Sequence, residues 1–199
     1  MTAPVGDRLS SRSLDEWESV TQPGEQAKTA MAHEIERKYL VRSDAWRAAA
    51  SKTDATGVKI RQGYLSTSNT RSVRVRTAGE RATLNVKGNK VGPRASEFEY
   101  SIPLGDAIQM LSELCRRPFI EKTRYDIRGL DGHIWEVDEF HAENAGLVVA
   151  EIELSHEDQT FAHPAWLGEE VTDDARYLNT NLVERPFTTW DRGEAGPED

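Results

Sequence analysis

The sequence predicts a mainly β (α+β) fold: an eight-stranded antiparallel β-barrel forming a tunnel, with flanking helices and a C-terminal helix that plugs one end. Two observations point there. Most of the chain between residues 32 and 186 alternates with period two, the pattern of a half-buried strand. On strand after strand, the polar half of that alternation is charged rather than mixed.

The first strand candidate is Glu34-Ile35-Glu36-Arg37-Lys38-Tyr39-Leu40-Val41. Asp44 to Ala50 is a weaker, helical stretch. Val58 to Leu65, Ser72 to Arg76 and Ala82 to Lys87 continue the alternation. Gly88-Asn89-Lys90 and Gly92-Pro93 supply a loop. Glu97 to Ile102 is the fifth strand candidate. Asp106 to Arg117 breaks the pattern and places Ala107, Ile108, Leu111, Leu114 and Cys115 at helical spacing, with Pro118 after its end. Ile120 to Arg128, Gly132 to Phe140 and Leu147 to Leu154 complete eight strands. Thr172 to Glu184 reads as a last helix, with Thr172 as cap.

Composition sets the limits. The chain has 199 residues, 37% hydrophobic and 30% charged, with 25 Lys+Arg against 34 Asp+Glu and a net charge of −9. That length fits one domain with a real core. The acidic balance argues against a nucleic-acid duplex as partner. No apolar run approaches the roughly 20 residues needed to span a bilayer, so no membrane partner is expected. The N-terminus has no signal-peptide stretch. A lone Cys115 excludes an internal disulfide and a cysteine metal site. The chain therefore reads as soluble and cytoplasmic. Residues 1–31 and 187–199 read as mobile tails around a core of 32–186.

Side chains two apart share a face of a strand. Glu34, Glu36 and Lys38 therefore form one row, and Arg74 with Arg76 another. Thr83, Asn85 and Lys87 follow, then Glu97 and Glu99, Lys122 and Arg124, Glu136 and Asp138, and Glu151 and Glu153. From alternation alone two arrangements fit. Charged faces can look outward from an apolar sandwich, or the sheet can close around them, since about eight strands suffice to enclose a ligand. A lumen holding carboxylates beside Arg and Lys suits a polyphosphate with its metal ions. Carboxylates bind hard divalent cations, and guanidinium and ammonium groups bind phosphate oxygens.

These rows also occur in a recognisable order. Glu34-Ile35-Glu36-Arg37-Lys38 resembles the Glu-x-Glu-x-Lys signature of the CYTH domain, also called the triphosphate tunnel metalloenzymes. Gln62-Gly63-Tyr64-Leu65, Val73-Arg74-Val75-Arg76, Leu84-Asn85-Val86-Lys87-Gly88, Glu97-Phe98-Glu99-Tyr100, Glu121-Lys122-Thr123-Arg124-Tyr125, Trp135-Glu136-Val137-Asp138 and Glu151-Ile152-Glu153-Leu154 follow as in that family. Trp166-Leu167-Gly168-Glu169-Glu170-Val171-Thr172 is similar to the ending of its short bacterial members.

The resemblance implies the closed tunnel and a hydrolase that needs Mg²⁺ or Mn²⁺. It implies inorganic tripolyphosphate, or another triphosphate, as substrate, cleaved to pyrophosphate and phosphate. It leaves a class IV-type adenylate cyclase and a non-catalytic polyphosphate-binding module as alternatives. The implied metal ligands are Glu34, Glu36, Asp138, Glu151 and Glu153. The implied substrate ligands are Lys38, Arg74, Arg76, Lys87, Lys122, Arg124 and, on the plug helix, Arg176. Glu34, Glu36, Lys38, Arg76 and Glu153 are the implied catalytic set, with the proton acceptor open among Glu34, Glu36 and Glu153. One of Glu97 and Glu99 is expected to orient a basic side chain rather than bind metal, and Glu136 is a candidate for the same role. The histidines show no zinc spacing, and Gly88 to Gly92 lacks the Gly-Lys-Ser/Thr ending of a phosphate loop. Oligomeric state is not legible.

Overall fold

A computed structural model describes residues 35–68, 71–88 and 96–191 of the chain. The expected N-terminal tail and Glu34 lie outside the described residues, as do residues 192–199 of the C-terminal one.

Nine strands form one antiparallel sheet: β1 (Ile35–Val41), β2 (Val58–Ser68), β3 (Arg71–Ala78), β4 (Arg81–Lys87), β5 (Glu97–Ser101), β6 (Arg116–Arg128), β7 (Ile134–Phe140), β8 (Val148–Leu154) and β9 (Leu167–Glu170). Their order is β5-β4-β3-β2-β6-β7-β8-β1-β9. The eight expected strands are all present. The expected closed barrel is corrected: the ladder is open, with β5 and β9 at its edges. The ninth strand, Leu-Gly-Glu-Glu, carries no alternation and is created by its pairing with Tyr39 and Val41. The sheet nevertheless curls: the Lys87 ammonium on β4 comes near enough to act on Glu36 of β1, close to the other end of the strand order.

Among the described residues three α-helices accompany the sheet: α1 (Ala45–Lys52), α2 (Leu104–Glu113) and α3 (Asn179–Glu184). Helix α1 buries Trp46 edge-on against Tyr125, 5.0 Å between centroids. Its neighbours Tyr39, Trp135, Ile152 and Trp166 continue the apolar outer face of β1 and β6–β8. Helix α2 buries Ala107 and Leu111 against Val75, Ala82 and Phe119. It is shorter at its end than the expected Asp106–Arg117, because Arg116 already pairs with Tyr64 in the β2–β6 ladder. Gly63 permits the close approach: a Cβ there would lie 2.7 Å from the Cys115 Cβ and 2.9 Å from Leu111.

The expected helix Thr172–Glu184 is corrected to two pieces. Ala175–Tyr177 is a 3-10 turn, Leu178 is extended, and only Asn179–Glu184 is α-helical. Thr172 does not cap it; its hydroxyl accepts the Lys38 backbone N–H at 3.1 Å. The turn is capped instead by the Asp174 side chain. Tyr177, Leu182 and Val183 pack with Tyr64, Ile120, Phe140 and Val149. The tail boundary at 187 is also corrected. Phe187–Thr189 forms a 3-10 turn, Trp190 lies edge-on to Tyr177 at 5.3 Å, and the Phe187 N–H donates to Asn144 at 2.8 Å. Among the described residues no helix is long and apolar enough to cross a membrane.

Candidate active site

The period-two alternation places one row per strand on the inner face of the curl. Strand register then sets which rows meet. Glu36 lies opposite Glu153, and Lys38 opposite Glu151, across β1 and β8. Glu136 faces Glu151 across β7 and β8, and Arg124 faces Asp138 across β6 and β7. On the other side Tyr64 pairs with Arg74 and Gln62 with Arg76. Arg74 then pairs with Asn85, and Asn85 with Glu99.

This face is buried although it is polar. Lys38, Gln62, Asn85, Lys122, Asp138 and Glu151 are all 8% exposed or less. Buried charges persist only when paired, and these are. Lys38 Nζ is 2.9 Å from Glu151 Oε1 and donates to the Tyr177 carbonyl at 3.3 Å. Arg124 Nε donates to Asp138 Oδ1 at 2.7 Å, and its Nη2 to Asp138 Oδ2 at 2.5 Å and Glu151 Oε2 at 2.8 Å. Its Nη1 donates to Glu136, and Lys122 Nζ to Asp138. Across the face, Arg74 Nη2 reaches Glu97 at 2.8 Å, Lys87 Nζ reaches Glu97 at 3.0 Å, and Arg76 Nη2 reaches Glu99 at 2.8 Å. Asn85 Nδ2 bridges both carboxylates, at 3.1 Å and 2.5 Å.

The charges shift one another in a definite way. Burial alone would raise the Glu151 carboxyl, but Lys38, Arg124 and Lys122 outweigh it and hold Glu151 well below the usual range. Burial would lower Lys38, yet Glu151 and Glu36 keep it raised. Lys122 is lowered, by burial first and then by Arg124. Arg76 is lowered by burial and by Arg74. Glu36 is raised by the charge of Glu151 and by burial, against the pull of Lys38, Lys87 and Arg124. Glu136 is pushed up to about 7, chiefly by burial.

The sequence-derived residues divide accordingly. Glu36, Lys38, Arg74, Arg76, Lys87, Lys122, Arg124, Asp138, Glu151 and Glu153 share the inner face. Arg176 does not join them. Its guanidinium pairs with Asp174 at 2.5 Å and lies against the Tyr177 and Trp190 rings, with 45% of the side chain exposed. Asp138 and Glu151 are saturated by cations in this arrangement, whereas Glu36 and Glu153 stand opposite one another at the open part of the face. No group of three or more His, Cys, Asp or Glu side chains is gathered around a single point among the described residues. Glu36 and Glu153 still suit a hard cation: both offer only oxygen, and they are direct partners across the β1–β8 ladder. Sequence reasoning assigned no role to Gln62, Tyr64 or Asn85. For Asn85 the signal was present, since it shares a row with Lys87; Gln62 and Tyr64 share theirs with Val58 and Ile60 and carried no such mark.

A curled antiparallel sheet with basic and acidic rows on one buried face defines a protein built to hold a polyanion together with cations. The chain belongs to the CYTH domain family, whose model matches residues 32–187. It is similar to an inorganic triphosphatase of Acetivibrio thermocellus, with 48% identity over 157 residues, 79% of this chain and 97% of that one. An inorganic triphosphatase of Nitrosomonas europaea is 36% identical over 153 residues, 75% of this chain and 96% of that one. The crystal structure of an inorganic triphosphatase matches with a TM-score of 0.56 and 34% identity, covering 77% of this chain and 95% of that one.

Proposed function

We propose that this chain is a divalent-metal-dependent triphosphatase that cleaves inorganic tripolyphosphate to pyrophosphate and phosphate on its inner face. The observation that carries the reading is the directly opposed pair Glu36–Glu153 beside the buried Lys38 and Lys122 and the partly buried Arg74, Arg76 and Arg124. A pure anion-binding face has no use for opposed carboxylates.

Glu36 and Glu153, with Glu34 of the same row, are the residues to hold Mg²⁺ or Mn²⁺. Such an ion offsets phosphate charge and lowers the pKa of water. The chain's own groups do the remainder. Lys38, Arg74, Arg76 and Lys87 bind and align the phosphates and stabilise the oxygens on which charge grows in the transition state. Lys122 and Arg124 sit deeper and hold Asp138 and Glu151 in place. A carboxylate among Glu34, Glu36 and Glu153 accepts the proton of the attacking water. The apolar packing of Tyr177, Leu182 and Val183 against Phe140 and Val149 excludes water behind the Lys38–Glu151 pair.

The test is incubation with Mg²⁺ or Mn²⁺ and, in turn, tripolyphosphate, ATP and thiamine triphosphate, followed by assay of phosphate, pyrophosphate and cyclic nucleotide. Phosphate and pyrophosphate from tripolyphosphate, abolished by EDTA, is the expected result. Cyclic AMP from ATP, or binding without products, overturns it.

A further inference from the structure

Tyr64 is 3% exposed, and its hydroxyl accepts a hydrogen bond from the Gln62 amide at 2.9 Å; Gln62 itself is 1% exposed. The register of β2 slips on both sides of Tyr64. Against β3 the slip falls between Tyr64 and Ser66, and against β6 between Gln62 and Tyr64. Bulges of this kind re-aim a side chain beside a site. Behind the segment, Gly63 packs so closely on Cys115 and Leu111 that it leaves no room for a Cβ.

Tyr64 lies directly opposite Arg74. The Arg74 charge also reaches the buried phenol and works against the rise that burial gives its pKa. Arg74 is also held from the other side, by Glu97 at 2.8 Å. The Glu97 pair on one side and the cross-strand Tyr64 on the other flank the guanidinium. The Arg74 Nε–H is buried and, among the described residues, meets no hydrogen-bond acceptor. A buried donor without an acceptor is unfavourable until something supplies one. A phosphate oxygen is the natural acceptor for a guanidinium N–H.

We propose that Tyr64, itself held by Gln62, is a positioning residue: together with Glu97 it locks the Arg74 guanidinium so that its buried Nε–H is presented to a phosphate oxygen of the substrate. The inference rests on the triphosphatase reading and deepens it. Arg74 touches the substrate; Tyr64 acts through Arg74.

The test is Tyr64→Phe in the full chain, which keeps the ring and removes the hydroxyl. With tripolyphosphate and Mg²⁺, kcat should fall about tenfold or more, with a smaller change in KM, while the thermal midpoint stays close to that of the unmodified chain. Gln62→Met should act in the same direction and more weakly. The decisive arm repeats Tyr64→Phe in an Arg74→Lys background. An ammonium has no fork to lock, so the second substitution should have little further effect. Calorimetric binding of tripolyphosphate in EDTA gives the same comparison where turnover is too slow to measure. Unchanged kcat and KM in Tyr64→Phe, or its full effect repeated on Arg74→Lys, overturns the inference. Failure of the unmodified chain to cleave tripolyphosphate overturns the function reading instead, and the binding comparison then still decides this one.

Discussion

The Lys38 ammonium stands 2.9 Å from the Glu151 carboxylate, and the two residues are direct partners in the β1–β8 ladder. Glu151 also holds Arg124 at 2.8 Å. One carboxylate therefore ties two basic residues of the phosphate-binding face to each other. Glu151→Gln removes the charge and leaves two cations in a buried place. Breaking one partner of a buried pair costs about 3–5 kcal/mol. Chemical denaturation should show a loss of that order, accompanied by loss of tripolyphosphate turnover. A variant as stable as the unmodified protein would mean that water already reaches the pair.

Arg76 offers the contrast. It pairs with Glu99, which has 45% of its side chain exposed. A half-exposed pair contributes about 0–1 kcal/mol. Arg76→Ala should therefore leave the denaturation midpoint nearly unchanged and abolish turnover. Retention of activity would remove Arg76 from the reacting set.

Gly63→Ala puts a methyl 2.7 Å from the Cys115 Cβ and 2.9 Å from Leu111. Overpacking of this kind destabilises by about 1–3 kcal/mol. Because Gly63 lies between Gln62 and Tyr64, the displacement should reach the inner face. Thermal midpoint and turnover should fall together. If only stability falls, β2 and α2 yield without moving the tyrosine.

Glu136 titrates near pH 7, pushed up chiefly by burial, against Arg124, with Glu151 and Asp138 adding to the rise. Its ionisation adds negative charge to a face that receives a polyanion. Affinity for tripolyphosphate should weaken as pH rises through about 7, and Glu136→Gln should flatten that part of the profile. Taking the ratio of KM for variant and unmodified enzyme cancels the substrate's own ionisation. The sign for stability is the same. A carboxyl with a raised folded pKa holds its proton more tightly when folded, so stability falls as pH climbs from the ordinary value of 4.5 through about 7. Identical profiles for both proteins would exclude Glu136 as the source.

Much of the fold was legible because the charged rows recur at a strict spacing of two. Glu36-x-Lys38, Arg74-x-Arg76 and Glu151-x-Glu153 each declare both a strand and a face. The last helix was less legible. Thr172 to Glu184 carries a helical spacing of apolar residues, but Asp174 satisfies the Arg176 N–H locally and ends the first turn early. Strand β9 was invisible, since four residues without alternation become a strand only when an edge accepts them.

Sequence by itself determined which side chains share a face of each strand, because side-chain alternation is a local property of extended backbone. It also determined the chemical class of the site, through the residue types that share a face. Only the tertiary structure decided the partners. Arg124 collects Asp138, Glu136 and Glu151, Arg176 turns away to Asp174, and Tyr64 comes to rest beside Arg74. Those choices depend on register, bulges and curl, which arise from packing between segments distant in the chain and leave no periodic mark within any one of them.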